Sequence, residues 1–158
     1  MADTENAKTK LEEYWEKFLE ETHQDKELVG FSGEMVFENR GLTGVGQMAL
    51  VLSGKKTASF SPLPYYEINR EPLPLSGEIY IAEDVNGEPR CILEVTDVNL
   101  IPFAEIPWEL ARRDGEDENL EEWRAKQKDY LEDEAAVSGF DFNDDTKIVC
   151  EIFRVIYS

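Results

Sequence analysis

The chain holds a single histidine, His23, and only two cysteines, Cys91 and Cys150. One imidazole and no Cys-x-x-Cys spacing leave too few ligands for a zinc site, so no metal or cofactor is expected. Both cysteines fall inside apolar runs, which reads as buried free thiols rather than a disulfide. Cations are scarce: 16 Lys+Arg stand against 35 Asp+Glu, a formal net charge of -19. A surface that tracks a duplex neutralises many phosphates with lysine and arginine, which argues against duplex DNA as a partner. A nucleoside or a short single strand needs only one local pocket and stays open. No run approaches the roughly 20 apolar residues that span a bilayer, and Met1 to Lys10 has no apolar leader. A cytoplasmic protein without a membrane partner is expected. The Gly-x-x-x-x-Gly-Lys-Ser/Thr, Gly-x-Gly-x-x-Gly and Gly-x-Ser-x-Gly patterns are also missing, which removes triphosphate, dinucleotide and α/β-hydrolase readings.

What is present describes a globular domain over residues 1–158, with 41% hydrophobic and 11% aromatic residues. Leu11, Tyr14, Trp15, Phe18 and Leu19 recur at helical spacing, so an amphipathic helix is expected over about residues 10–22. Its apolar stripe would cover the core or join two copies, leaving monomer and dimer both open. Val29 to Gly46 is punctuated by glycine and reads as irregular chain. Thr43 is the expected N-cap of a second helix through Val45, Met48, Ala49 and Leu52, stopped by Gly54. Lys56 to Phe60 suits a strand. Pro62, Pro64, Pro72 and Pro74 then suggest a long polar loop carrying Tyr65 and Tyr66. Glu78 to Asp84 and Arg90 to Asn99 read as strands joined at an Asn86-Gly87 turn. Pro107 opens a short helix, and Asn119 with Glu122 forms the capping box of a longer one with Leu120, Trp123, Tyr130 and Leu131 inside. Lys147 to Tyr157 is apolar on both faces, as in an interior strand. The order implies an α+β domain with a curved, largely antiparallel sheet.

Against so acidic a background, Lys55 and Lys56 beside Ser53, Thr57, Ser59 and Ser61 are out of character. The plain reading is a helix end whose free carbonyls favour cations. The chemical reading is a polar-ligand site, with Lys56 meeting Ser59 where the turn bends. The run Asp114-Gly115-Glu116-Asp117-Glu118 has the same two faces. It is either a solvated acidic corner or a corner that turns one carboxylate inward. Tyr65 and Tyr66 are candidates for stacking a base.

Three segments together resemble the ASCH family of PUA-like domains, specifically its longer bacterial members. They are Leu52-Ser53-Gly54-Lys55-Lys56-Thr57-Ala58-Ser59, Trp108 to Asp117 with Leu120-Glu121-Glu122-Trp123-Arg124, and the closing Val149 to Tyr157. The resemblance runs from about Trp15 onward. It implies a small, mixed, largely antiparallel β-barrel with flanking helices, and a cleft where the Gly-x-Lys turn faces the acidic corner. It also implies an RNA-associated role. Small members hydrolyse acylated cytidine nucleosides with a lysine, a threonine three residues later and a glutamate from the corner. Those roles fall on Lys56, Ser59 and Glu116, with Lys55, Thr57, Ser61, Tyr65 and Tyr66 as substrate-binding candidates. This chain departs in carrying Ser59 for the threonine, which keeps a hydroxyl, and Ser61 for an arginine, which removes a bidentate anion partner. The expected mechanism has Lys56 take the Ser59 proton for attack on the amide carbonyl, with Glu116 orienting the lysine or passing the proton to the leaving amine. Alanine at position 56 is then expected to abolish turnover and leave folding intact. The rivals are a binding module for RNA or a modified nucleotide, and a ribonuclease acting on single strands.

Overall fold

The N-terminal stripe does form a helix, α1 (Lys10–Glu21), with Thr9 capping it by accepting from the Glu12 N–H. Its Trp15, Phe18 and Leu19 bury against Ile81 and Ile92 of the sheet. The structure, a computed structural model, describes residues 9–27, 29–37, 46–84 and 86–158. The expected N-cap Thr43, and Val45 after it, lie outside the described residues.

Five strands form one sheet: β1 (Gly33–Val36), β2 (Ala58–Pro62), β3 (Ile79–Glu83), β4 (Pro89–Pro102) and β5 (Lys147–Tyr157). Their order is β1-β3-β4-β5-β2, and every pairing is antiparallel except β1 with β3. β1 corrects the irregular reading of residues 29–46. Four residues, the first a glycine, are too few to show an alternation, and the strand is defined by its parallel partner rather than by its own pattern. β4 is 14 residues long and breaks register at Ile92/Leu93 and at Val95/Asp97. Extra residues at such breaks bend a strand and increase its twist, and here they curl the sheet into a half-barrel.

Helices α2 (Gln47–Leu52), α3 (Leu63–Asn69), α4 (Trp108–Ala111) and α5 (Leu120–Ser138) complete the architecture, with 3-10 turns at Phe103–Glu105 and Arg112–Asp114. α3 corrects the proline-loop reading of Tyr65 and Tyr66. Pro62 is its N-cap and Pro64 sits in its first turn, where a missing N–H costs no hydrogen bond. Asn119 caps α5 by accepting from the Glu122 N–H at 2.9 Å, while Glu122 reaches back to the Glu118 N–H at 3.1 Å. That cap aims Trp123, Gln127 and Leu131 at the sheet. β2 divides its side chains between two environments. Ala58 and Phe60 pack on the α5 side with Trp123, Phe103 and Ile148. Ser59 and Ser61 point the other way, and Ser59 sits directly across from Glu151 of β5.

Candidate functional site

The lysine turn is built by the end of α2. Gly54 takes a left-handed φ of 80°, and the Lys55 and Lys56 N–H groups both donate to the Leu50 carbonyl, at 2.9 and 3.0 Å. Both cations stand beyond the helix end, yet only Lys55 stays exposed. Lys56 is 2% exposed and donates to Asp114 Oδ1 in a buried ion pair. The other oxygen, Asp114 Oδ2, accepts from Trp123 Nε1 at 3.0 Å and Gln127 Nε2 at 2.8 Å. A carboxylate charge out of water needs this kind of saturation, and both oxygens have it.

The turn and the corner are also joined through backbone. The Thr57 N–H donates to the Arg113 carbonyl at 2.7 Å, and Arg113 Nη1 reaches Thr57 Oγ1 at 3.4 Å. Gly115, at φ 88°, lies so close that a Cβ there would meet the Lys55 carbonyl oxygen at 3.0 Å. Backbone cannot swing aside as a side chain can. Gly115→Ala is therefore expected to cost on the order of 1–3 kcal/mol, from the left-handed φ and the contact together. Urea denaturation measures it; an unchanged midpoint would show that the corner has room to relax.

The acidic corner turns two carboxylates inward, those of Asp114, two residues before Glu116, and of Asp117, which pairs with Lys126 at 2.8 Å. Glu116 is half-buried, and its charge is felt by Lys126. Ser59 is half-buried on the face of β2 opposite Phe60, whose ring packs edge-on against Trp123 at 5.0 Å. Lys56 meets Asp114 beside that same Trp123. Thr57 is held by Arg113, and Ser61 shares the Ser59 face. Tyr65 and Tyr66 meet edge to face, centroids 5.6 Å apart at 87°, so the pair cannot sandwich one base between parallel rings.

Ser59 and Tyr65 do come together in a groove of about 260 Å³, with Phe37, Gln47, Tyr130 and Glu134. Residues 35–37 of β1 and its C-terminal extension and Ser59 of β2 share this lining although their strands end the sheet on opposite sides. The curl of the sheet has brought its two edges to one opening. No lysine or arginine lines the groove among the described residues.

Beside Ser59 lies a residue that sequence reading placed on a strand face and passed over. Glu151 is 7% exposed, in the middle of β5. Its Oε1 accepts from Tyr66 Oη at 3.4 Å, and its Oε2 is buried without a hydrogen-bond partner among the described residues. Burial pushes the carboxyl up to about 7, helped by the Glu78 charge and opposed by the Tyr66 hydrogen bond. The available signal was a carboxylate midway along a strand whose neighbours on both faces are apolar.

The ASCH domain model matches residues 35–157. The chain belongs to the ASCH domain family. This ASCH domain superposes on the crystal structure of an ASCH domain from Lactobacillus crispatus JV V101 with a TM-score of 0.78 and 25% identity, over 90% of this chain and 94% of that one. A protein of Enterococcus faecalis V583 gives a TM-score of 0.80 and 27% identity, over 94% of this chain and 88% of the other. No curated protein matches the chain. The half-barrel and its flanking helices are thus the PUA-like architecture of the family, and the ASCH domain is a fold associated with RNA binding.

Proposed function

We propose that this ASCH domain captures a nucleobase, on a free nucleoside or in a short single strand, in the groove over Ser59. The groove itself carries this reading: aromatic walls from Phe37, Tyr65 and Tyr130, a serine floor, and no cation among the described lining residues. Aromatic faces accept any base by stacking, and single-stranded recognition works through such splayed bases. A net charge of -19 opposes a long phosphate backbone and leaves an uncharged nucleoside unaffected. Duplex DNA, whose base faces are stacked inside the helix and cannot enter such a groove, is not a ligand on this reading.

The hydrolase reading, amide cleavage of an acylated cytidine, is favoured by one observation, the Ser59 hydroxyl in the groove. Its Lys56 would have to leave Asp114 to accept the Ser59 proton, and Glu116 would have to take over that role. Titration calorimetry with cytidine, N(4)-acetylcytidine, adenosine, uridine and a short single-stranded RNA tests binding. Chromatography of the same mixtures tests for free cytidine or cleaved strand. Saturable heats with a nucleoside are expected. Silence from every nucleoside and from the RNA would remove the proposal, and release of cytidine from its acetylated form would promote the hydrolase reading.

A further inference from the structure

The buried Glu151 carboxyl has no structural duty that accounts for it. One oxygen is met by a long hydrogen bond from Tyr66 and the other by nothing among the described residues. A leucine would pack in the same interior without a polar atom to satisfy, and unsatisfied buried oxygens are rare in folded proteins. Its position is as pointed as its burial. Cross-strand partners share a face of the sheet, so the Glu151 side chain stands beside Ser59, the floor of the groove. The two serines of β2, Ser59 and Ser61, are short and leave the space above this carboxyl low. Tyr66, which covers it from the other side, belongs to α3, a helix with no fully buried side chain. Tyr66 is half-buried and also bonds Ser61, so lifting it gives up that bond and the long one to Glu151.

We propose that Glu151, across the sheet from the groove's Ser59, is its base-reading residue and pairs, in its protonated form, with a base edge that sets an acceptor beside a donor, as the amino-bearing edge of cytosine or adenine does. This deepens the base-binding reading and rests on it. A neutral carboxyl group offers one O–H donor beside one carbonyl acceptor. Cytosine presents the complement, a ring nitrogen that accepts and an exocyclic amine that donates, and adenine presents the same pair. Uracil also sets a donor beside an acceptor, its N3–H next to a carbonyl oxygen, so the neutral carboxyl reads a donor–acceptor edge rather than one particular base. Oε2 carries the proton to the ring nitrogen, and Oε1 accepts from the amine while Tyr66 moves off it. Where the free carboxyl is ionised, binding takes one proton from solvent.

That proton makes the pairing sensitive to pH. The charged and titratable neighbours of Glu151 are Tyr66 from α3, Glu78 before β3 and Tyr80 on β3. β2 contributes Ser59 and Ser61, and β4 sets Val98 against it. Burial has raised Tyr66 and Tyr80 above the ordinary tyrosine range, so neither loses its proton between pH 6 and 8. With Glu151 poised at about 7, its protonated fraction falls about tenfold between pH 6 and pH 8.

Calorimetric titration of the full chain with cytidine at pH 6, 7 and 8 tests this, using wild type, Glu151→Gln and Glu151→Leu. Wild-type affinity is expected to fall about tenfold from pH 6 to pH 8. The glutamine carries a permanent donor and acceptor, so its affinity should stay level across that range. The leucine offers neither and should lose at least about tenfold at pH 6. Thermal melts of each variant establish that it is folded. Wild-type binding with no pH dependence, or leucine binding as tightly as wild type, overturns the role of Glu151 and leaves base capture standing. Failure of wild type to bind any nucleoside or the short RNA overturns both.

Discussion

Lys56→Ala should destabilise the domain by about 3–5 kcal/mol, which makes it a poor probe of catalysis. Removing the ammonium leaves the Asp114 carboxylate inside the protein with Trp123 and Gln127 as its remaining donors. Two neutral hydrogen bonds do not replace a counter-charge where water is excluded. At roughly 2–4 °C per kcal/mol for a chain of this size, the melting temperature should fall by roughly 6–20 °C. Lost turnover in that variant would then report unfolding as readily as chemistry. The informative control removes both charges, Lys56→Met with Asp114→Asn. The asparagine oxygen still accepts from Trp123, no unpaired charge remains, and at least half of the lost stability should return. Urea melts of the three proteins decide it. A Lys56→Ala variant that melts with wild type would show that the pair contributes nothing.

Glu151→Leu should do the opposite, and only above acid pH. The carboxyl rises from an ordinary 4.5 to about 7 on folding, so the folded protein holds a proton that the unfolded chain releases. Below about pH 4.5 the group is protonated in both states and costs nothing. Between 4.5 and 7 the penalty grows, and above 7 it is complete at about 3 kcal/mol. Leucine removes that penalty. The variant should therefore gain on wild type as pH rises from 4 to 8, by up to about 3 kcal/mol, with most of the change complete by pH 7. A stability gap that is the same at pH 4 and pH 8 would refute the raised carboxyl. A protein that keeps so costly a residue in its interior departs from its own packing rules there, which is the pattern of a functional position.

The elements legible in the sequence are those that state their period over many residues. β5 spans Lys147–Tyr157, as its alternation required, α1 follows its apolar stripe over Lys10–Glu21, and α5 begins at the Asn119 cap. β1 and α3 were illegible for opposite reasons. β1 is too short to show a period, and α3 hides behind prolines that open a helix as readily as they break one. Charge drew attention to Lys56 and the acidic corner, and the structure joins the two through the Lys56–Asp114 pair. The partner within that corner was not readable, because it is settled by a 3-10 turn that ends on Asp114 and a left-handed Gly115 that carries Glu116 past it. Glu151 was visible as a letter only, since what marks it is an oxygen with no partner among the described residues. Such a vacancy is a property of three dimensions.

The curl that brings β1 and β2 to one groove also limits how anything can attach there. The terminal strands of the sheet are four and five residues long, and β2 closes on Pro62, which has no N–H to donate. An incoming peptide would find too little open ladder to add itself as a further strand. Lateral stacking of one copy on another faces the same shortage, and the shared negative charge opposes it as well. With edges so short, the opening offers side chains rather than an open strand to whatever meets it.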